Sequence, residues 1–342
     1  MDKELILAVA GSGKTTYLID KLNEKDRFLL ITYTNANTEN LRSGVIQKFG
    51  YFPENIKLYT YFSFLYSFCY KPYLSRKVQA KGISFDQLHS RLRFKSDNLG
   101  YYITKNRRLY SCRIARLLKQ CDIYPLLRKR LEKYFGYIFV DEVQDFAGHD
   151  FNLLMELTES NVKMKLVGDF NQHTFDTSRD GAVNKNLHKD FDQFVDRFKK
   201  KKVSIRTDIL SNSYRCSPTV CNFITENLEI NISSHKLDPT VVKLEKDKSI
   251  SIRLAEDANI IKLFYQNSVK YNCYSLNWGK SKGMNCFKDI CVVLNKKTME
   301  YMLKEKLMQL PEATKHKLYV AISRAHGNVY FIDENSLISY KR

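Results

Sequence analysis

The residues that could do chemistry begin with Leu5-Ile-Leu-Ala-Val-Ala-Gly-Ser-Gly-Lys-Thr-Thr16, an apolar run that ends in a glycine turn. In a strand–loop–helix setting, Gly11 and Gly13 let backbone N–H groups close round phosphate oxygens. Lys14 then reaches the β- and γ-phosphates, and the Thr15 hydroxyl ligates magnesium. The pattern G-x-x-x-x-G-K-[ST] is met except at its first place, where Ala8 stands for Gly. Ala10, Gly11, Ser12, Gly13, Lys14, Thr15 and Thr16 are therefore the expected nucleotide-binding residues. A second set follows the apolar run Tyr137-Ile-Phe-Val140, which ends in Asp141-Glu142. Hydrolysis of a nucleoside triphosphate needs one carboxylate near the metal and another to prepare the attacking water. Asp141 is expected to serve Mg2+ together with Thr15, and Glu142 to act as general base.

These groups require a scaffold that ends strands at loops. Phe28 to Thr34 reads as a buried strand with a helix after it from Asn35 to Phe49. Ile56 to Thr60 reads as a strand running into an aromatic helix, Tyr61 to Tyr70. Strands alternating with helices predict a parallel α/β sheet. Residues 71–133 turn basic and helix-prone, with no clear strands and with helical spacing over Leu109–Leu118 and Pro125–Tyr134. They read as a helical insertion. The sheet resumes at Tyr137–Asp141 and Lys165–Gly168, and the lysine run that closes Phe194–Lys202 marks a boundary. A second unit is expected to start with strand Thr207–Leu210. It continues through helix Pro218–Leu228 and strands Ile250–Leu254, Ile290–Leu294 and Val329–Ile332. The expected domains are 1–205, holding the phosphate loop and the 71–133 insertion, and 206–342.

At 342 residues the chain has room for two domains, each with its own core. A net charge of +19 predicts a polyanionic partner. Nucleic acid fits better than a membrane, because no apolar run approaches ~18 residues. The opening Met-Asp-Lys-Glu does not read as a secretory signal, and eight cysteines without a C-x-x-C pair read as reduced thiols. A cytoplasmic location is expected.

Asp141-Glu-Val-Gln-Asp145 together with Ala10-Gly-Ser-Gly-Lys-Thr15 resembles the superfamily 1 helicases of the UvrD/Rep/PcrA type. The resemblance runs in order through nearly the whole chain. Ile31-Thr-Tyr-Thr-Asn35 and Thr60-Tyr-Phe-Ser-Phe64 are similar to the family's DNA-contacting motifs. Val167-Gly-Asp-Phe-Asn-Gln172 is similar to its G-D-x-x-Q, and Asn212-Ser-Tyr-Arg-Cys-Ser217 to its N-Y-R-S with one residue inserted. Lys280-Ser-Lys-Gly-Met284 is similar to its K-G-L-E region, and Tyr319-Val-Ala-Ile-Ser-Arg-Ala325 to its Y-V-A-x-T-R-A.

The resemblance implies two RecA-like P-loop domains that close on ATP and hydrolyse it with Mg2+. It implies a DNA helicase or translocase moving 3′ to 5′ on single-stranded or tailed duplex DNA. It further places Gln172 by the γ-phosphate, Arg215 and Arg324 on the triphosphate, Tyr214 on the adenine and Gly283 at the nucleotide. Tyr33, Thr34, Asn35, Thr60, Phe62 and Phe175 are implied to meet the strand.

The chain departs from the family in places. Too few residues precede the phosphate loop for the family's adenine-reading Gln motif, which leaves adenine selectivity open. The stretch Phe175-Asp-Thr-Ser-Arg-Asp-Gly-Ala182 lacks the family's Trp, Asn285 stands in place of an acid, and Asn277-Trp-Gly279 replaces T-x-H. The family's large accessory domain does not fit between Arg215 and Gly279. A second reading follows from these losses: an ATP-switched DNA-binding subunit that serves a partner such as a nuclease, with little unwinding of its own.

Overall fold

Short runs rich in apolar residues become the strands of one sheet. In chain order these are Lys3–Leu7 (β1), Phe28–Thr32 (β2), Ile56–Thr60 (β3), Tyr137–Val140 (β4), Lys163–Gly168 (β5) and Ser204–Arg206 (β6). The computed structural model describes residues 2–86, 88, 94–174, 177, 178 and 180–342. The six strands stand in the order β3-β2-β4-β5-β1-β6. Pairings β2–β3, β2–β4, β4–β5 and β1–β6 are parallel. All five residues of β2 are buried, as a strand covered by helices on both faces must be.

A second parallel sheet holds Val242–Leu244 (β7), Ile261–Phe264 (β8), Ser275–Asn277 (β9), Ile290–Leu294 (β10) and Val329–Asp333 (β11). Its order is β7-β11-β10-β8-β9. The protein is thus built from two RecA-like α/β units. The described residues divide between them: those within 2–6, 15–168 and 177–206 supply the first, and those within 7–14, 169–174 and 207–342 the second.

Three of the expected elements take another form, and strands β7, β8 and β9 are not among those expected. Thr207–Leu210 is not a strand; the strand lies earlier, at Ser204–Arg206, and pairs with β1 in the first sheet. Ile250–Leu254 is not a strand but lies inside the helix Lys248–Glu256. Asp247 caps that helix by accepting from the Ser249 N–H, and Ser251 and Ala255, four apart, face inward. The 71–133 insertion is mainly helical, yet it contains a two-stranded parallel ladder, Gly82–Ser84 against Arg108–Tyr110. The expected helix over Leu109–Leu118 consequently starts only at Ile114. The aromatic helix after β3 widens to π-helical turns over Phe64–Tyr70.

Arg113 and Asp180 fasten this insertion within the first unit. The buried Arg113 guanidinium donates to Asp180 at 3.0 Å and lies 3.5 Å from the centre of the Tyr101 ring. Arg116 reaches the other Asp180 oxygen at 3.1 Å. Burial alone would raise the Asp180 carboxyl, but the Tyr101 hydroxyl and the two arginines hold it below its ordinary value. Removing one partner of a buried pair strands the other charge, so Arg113→Ala is expected to cost about 3 kcal/mol of stability by denaturant titration.

Asp150 behaves oppositely. Fully buried in the helix Gly148–Leu157, its carboxyl is pushed by burial from 3.8 up to about 7, against the pull of the Tyr61 and Thr177 hydroxyls. Between those values the folded chain holds a proton that the unfolded chain has lost. The contribution to stability is therefore complete below pH 3.8 and falls away as pH rises to about 7. Asp150→Asn is expected to flatten that slope and to raise the melting temperature at pH 8, which thermal melts across pH would show.

Candidate functional site

The chain enters helix Lys14–Asp20 directly after the glycine loop, and Asp141 leaves the carboxyl end of β4. Their side chains meet there: the Thr15 hydroxyl donates to Asp141 Oδ2 at 3.2 Å. Asp141 Oδ1 accepts the Glu142 N–H at 2.9 Å, so one carboxylate ties the helix start to the strand end. Glu142 is buried and adopts the left-handed region at φ 58°, ψ 45°, unusual for a side chain with a Cβ. Such backbone strain concentrates at functional sites. The Glu142 carboxylate accepts from the Gln144 side-chain amide. Gly168, at the end of β5, has no room for a side chain. A Cβ there would come within 2.4 Å of Gln144 Oε1 and 2.7 Å of Val143 Cγ1. The turn after Asp141 is thus held against the neighbouring strand. Thr16 is exposed on the helix.

The second unit contains the loop Leu7–Lys14 and the motif after Gly168. Gly11 and Gly13 take φ of 71° and 83°, in the left-handed region that favours glycine. Within the loop the Ser12 hydroxyl donates to the Val9 carbonyl at 2.8 Å, and Lys14 Nζ donates to the same oxygen at 3.3 Å. The Ala10 N–H donates to the Tyr319 hydroxyl at 2.9 Å, and that hydroxyl donates to Asp169 Oδ2 at 2.9 Å. Gln172 Nε2 donates to the same Asp169 oxygen at 2.9 Å. The Tyr319 hydroxyl and this carboxylate oxygen together link three stretches far apart in sequence. Tyr319 is fully buried in helix Glu312–Ile322, and burial pushes its phenol well above the ordinary value.

The Asn212–Ser217 stretch lies against the loop: the Tyr214 N–H donates to the Gly11 carbonyl at 2.8 Å. The Tyr214 ring is 62% exposed and stacks on His235 at 3.9 Å with 14° between planes. Arg215 Nε donates to Asn285 Oδ1 at 2.6 Å and its NH1 to the Ser323 carbonyl at 3.1 Å. The Asn285 that replaces an acid thus still offers an acceptor to this arginine. Arg324 is 2% exposed; it donates to the Val320 and Met284 carbonyls. Gly283, beside Met284, takes φ of 83°. Trp278, in the T-x-H place, is a core residue whose Nε1 donates to the Leu263 carbonyl at 2.7 Å.

The residues expected to meet a nucleic-acid strand divide by role. Thr34 and Thr60 are helix N-caps: the first accepts from the Asn37 N–H and the second from the Ser63 N–H. Thr34 lies just past the carboxyl end of β2, Thr60 is the last residue of β3, and Asn35 is the exposed first residue of its helix. The Tyr33 ring packs edge-on against Phe62 with centroids 5.6 Å apart, and Phe62 is buried. Phe175 lies outside the described residues.

Tyr319, Asp169 and Gln144 fall inside the sequence motifs, but the motifs do not disclose their contacts. A buried Tyr in a helix, or a Gln two residues from Glu142, carries no spacing signal of its own.

Residues 59–195 match the family described as the UvrD/REP helicase N-terminal domain. The fold is similar to that of arterivirus nonstructural protein 10 (helicase) solved in complex with DNA. The two share 16% identity and a TM-score of 0.51, over 97% of this chain and 61% of that one. Another structure of arterivirus nonstructural protein 10 (helicase) aligns over 99% of this chain and 62% of that one, with 15% identity and a TM-score of 0.49. The chain spans about three fifths of the length of the solved structures it matches. No curated protein matches it. The family match over residues 59–195 and the ordered motifs on either side of it make the chain similar to the superfamily 1 helicases of the UvrD/Rep type.

Proposed function

We propose that the protein is an ATP-hydrolysing DNA helicase or translocase, stimulated by single-stranded DNA and moving 3′ to 5′. The observation that carries this reading is the contact of Thr15 with Asp141 at 3.2 Å, with Glu142 held in a left-handed conformation beside it. The backbone N–H groups of residues 10–14 bind phosphate oxygens, and Lys14 offsets the charge of the β- and γ-phosphates. The Thr15 hydroxyl and the Asp141 carboxylate are hard oxygen donors of the kind that suits Mg2+. Among the described residues no cluster of three or more His, Cys, Asp or Glu could hold a metal alone, which accords with a metal shared with substrate phosphates. Bound there, Mg2+ would neutralise charge on the triphosphate.

Glu142 takes the proton of the attacking water. Gln172, fixed through Asp169 to Tyr319, orients that water and reports whether the γ-phosphate is present. Arg215 and Arg324 offset transition-state charge, an effect worth roughly 10³-fold or more in rate in other systems. Tyr214 offers its exposed ring to the base. DNA is favoured as the strand because the chain carries +19 charge and the fold is similar to that of a helicase solved with DNA. No helix among the described residues is long and apolar enough to cross a membrane.

Phosphate release with and without oligo-dT, run beside strand displacement on duplexes tailed at either end, tests this. The expected result is strand-stimulated hydrolysis with displacement from a 3′ tail. Stimulated hydrolysis without displacement would favour the DNA-switched subunit instead, and absence of stimulation would reject both.

A further inference from the structure

We propose that Phe85 is a nucleobase-stacking residue, contributed by the insertion to the strand path expected at Tyr33, Thr34 and Thr60. The proposal rests on the nucleic-acid reading above. Phe85 follows the short strand Gly82–Ser84, and its ring is 67% exposed. A single exposed Phe needs no explanation by itself. This one, however, stands at the end of a ladder of rings in the first unit. Phe85 meets Phe62 edge to face at 4.9 Å and 87°, and Phe62 meets Tyr33 in the same manner at 5.6 Å and 64°.

Phe62 is 9% exposed, so it backs the other two rather than offering a face of its own. A face at Phe85 is left to solvent, continuous with the carboxyl ends of β2 and β3 where Tyr33, Thr34 and Thr60 lie. The backbone on either side is pinned: the Ser84 hydroxyl donates to Asp86 Oδ2 at 2.5 Å, and the Asp86 N–H donates back to Ser84 Oγ at 3.2 Å. A fixed, solvated ring edge-packed on a buried one is a ready platform for a base, since every base has a π-face.

Binding of 2-aminopurine-labelled oligo-dT, read as base fluorescence and as anisotropy over a salt series, tests the proposal in the full chain. Stacking is worth roughly 1–3 kcal/mol per base, so Phe85→Ala is expected to weaken the strand about 5- to 100-fold. The salt slope should stay unchanged, because no phosphate contact is removed. Phe85→Trp is expected to restore affinity and the quenching of the labelled base, and Phe85→Leu is not. If wild-type protein fails to bind the strand at all, the nucleic-acid reading itself falls. If wild-type protein binds and Phe85→Ala or Phe85→Leu binds equally well, the proposal is overturned while that reading stands. A loss in Phe85→Ala that comes with a lowered melting temperature and is not restored by Phe85→Trp would also overturn it, in favour of a packing role.

Discussion

Glu142→Gln is expected to lower strand-stimulated ATP turnover by about 10³-fold while leaving nucleotide affinity nearly unchanged. Glutamine keeps the size of the side chain and can still turn an oxygen toward the Gln144 amide that Glu142 accepts from. The left-handed backbone at this position is also kept, since the new side chain branches no closer to it. What disappears is the proton acceptor. Lys14→Ala should differ in kind: it removes the ammonium from the phosphate loop, so both turnover and nucleotide binding fall. Phosphate release and displacement of a fluorescent nucleotide, measured side by side, separate the two. Turnover in Glu142→Gln above about a tenth of wild type would place the base elsewhere.

Much of this arrangement is legible in the amino-acid sequence. Runs such as Phe28–Thr32 and Ile290–Leu294 are wholly buried, and a run that must be buried on both faces is apolar at nearly every place. Helix Asn35–Phe49 can be read to the residue because Thr34 caps it and Gly50 closes it in the left-handed region, both of them local signals.

The strands that are hard to read carry polar residues with non-local explanations. Ile261–Phe264 is fully buried, yet it contains Lys262, whose amine is satisfied by the Asp257 and Ile260 carbonyls at 2.7 and 2.8 Å. A lysine at 0% exposure is not something periodicity predicts. Ser204–Arg206 is an edge strand with an exposed arginine, following four lysines, so its pairing with β1 is tertiary information. At Ile250–Leu254 an alternation of Ser and Ile mimics a strand period. The Asp247 cap and the inward Ser251 and Ala255 decide for helix.

The candidate site divides the same way. Residue types announce Thr15, Asp141 and Glu142, because a phosphate loop and a strand-end acid pair each have a local pattern. The junction of Ala10, Tyr319, Asp169 and Gln172 has none: its members come from three distant stretches and meet at the Tyr319 hydroxyl and the Asp169 oxygen it donates to. The same is true of Phe85, whose contact with Phe62 depends on how the insertion folds back.

Gly11→Ala is expected to reduce ATP turnover by about 10²-fold, more than backbone strain alone would. Gly11 sits at φ 71°, where a Cβ costs ~1 kcal/mol. It is also crowded. A Cβ there would lie 2.7 Å from Arg215 Cβ and 2.7 Å from Ser213 Oγ, closer than real Cβ contacts come. Either the loop or the Asn212–Ser217 stretch must move, and the Tyr214 N–H bond to the Gly11 carbonyl holds the two together at 2.8 Å. Arg215 therefore shifts with the loop, and a displacement approaching 1 Å of a positioned group can cost 10²-fold in rate. Gly50→Ala provides the control. Gly50 has φ 81° but nothing within 4 Å of its would-be Cβ, so that variant bears the strain without the collision. It should lose about 1 kcal/mol of stability and keep full turnover. If Gly11→Ala matched Gly50→Ala in turnover, the close approach of Arg215 to the phosphate loop would have no part in hydrolysis.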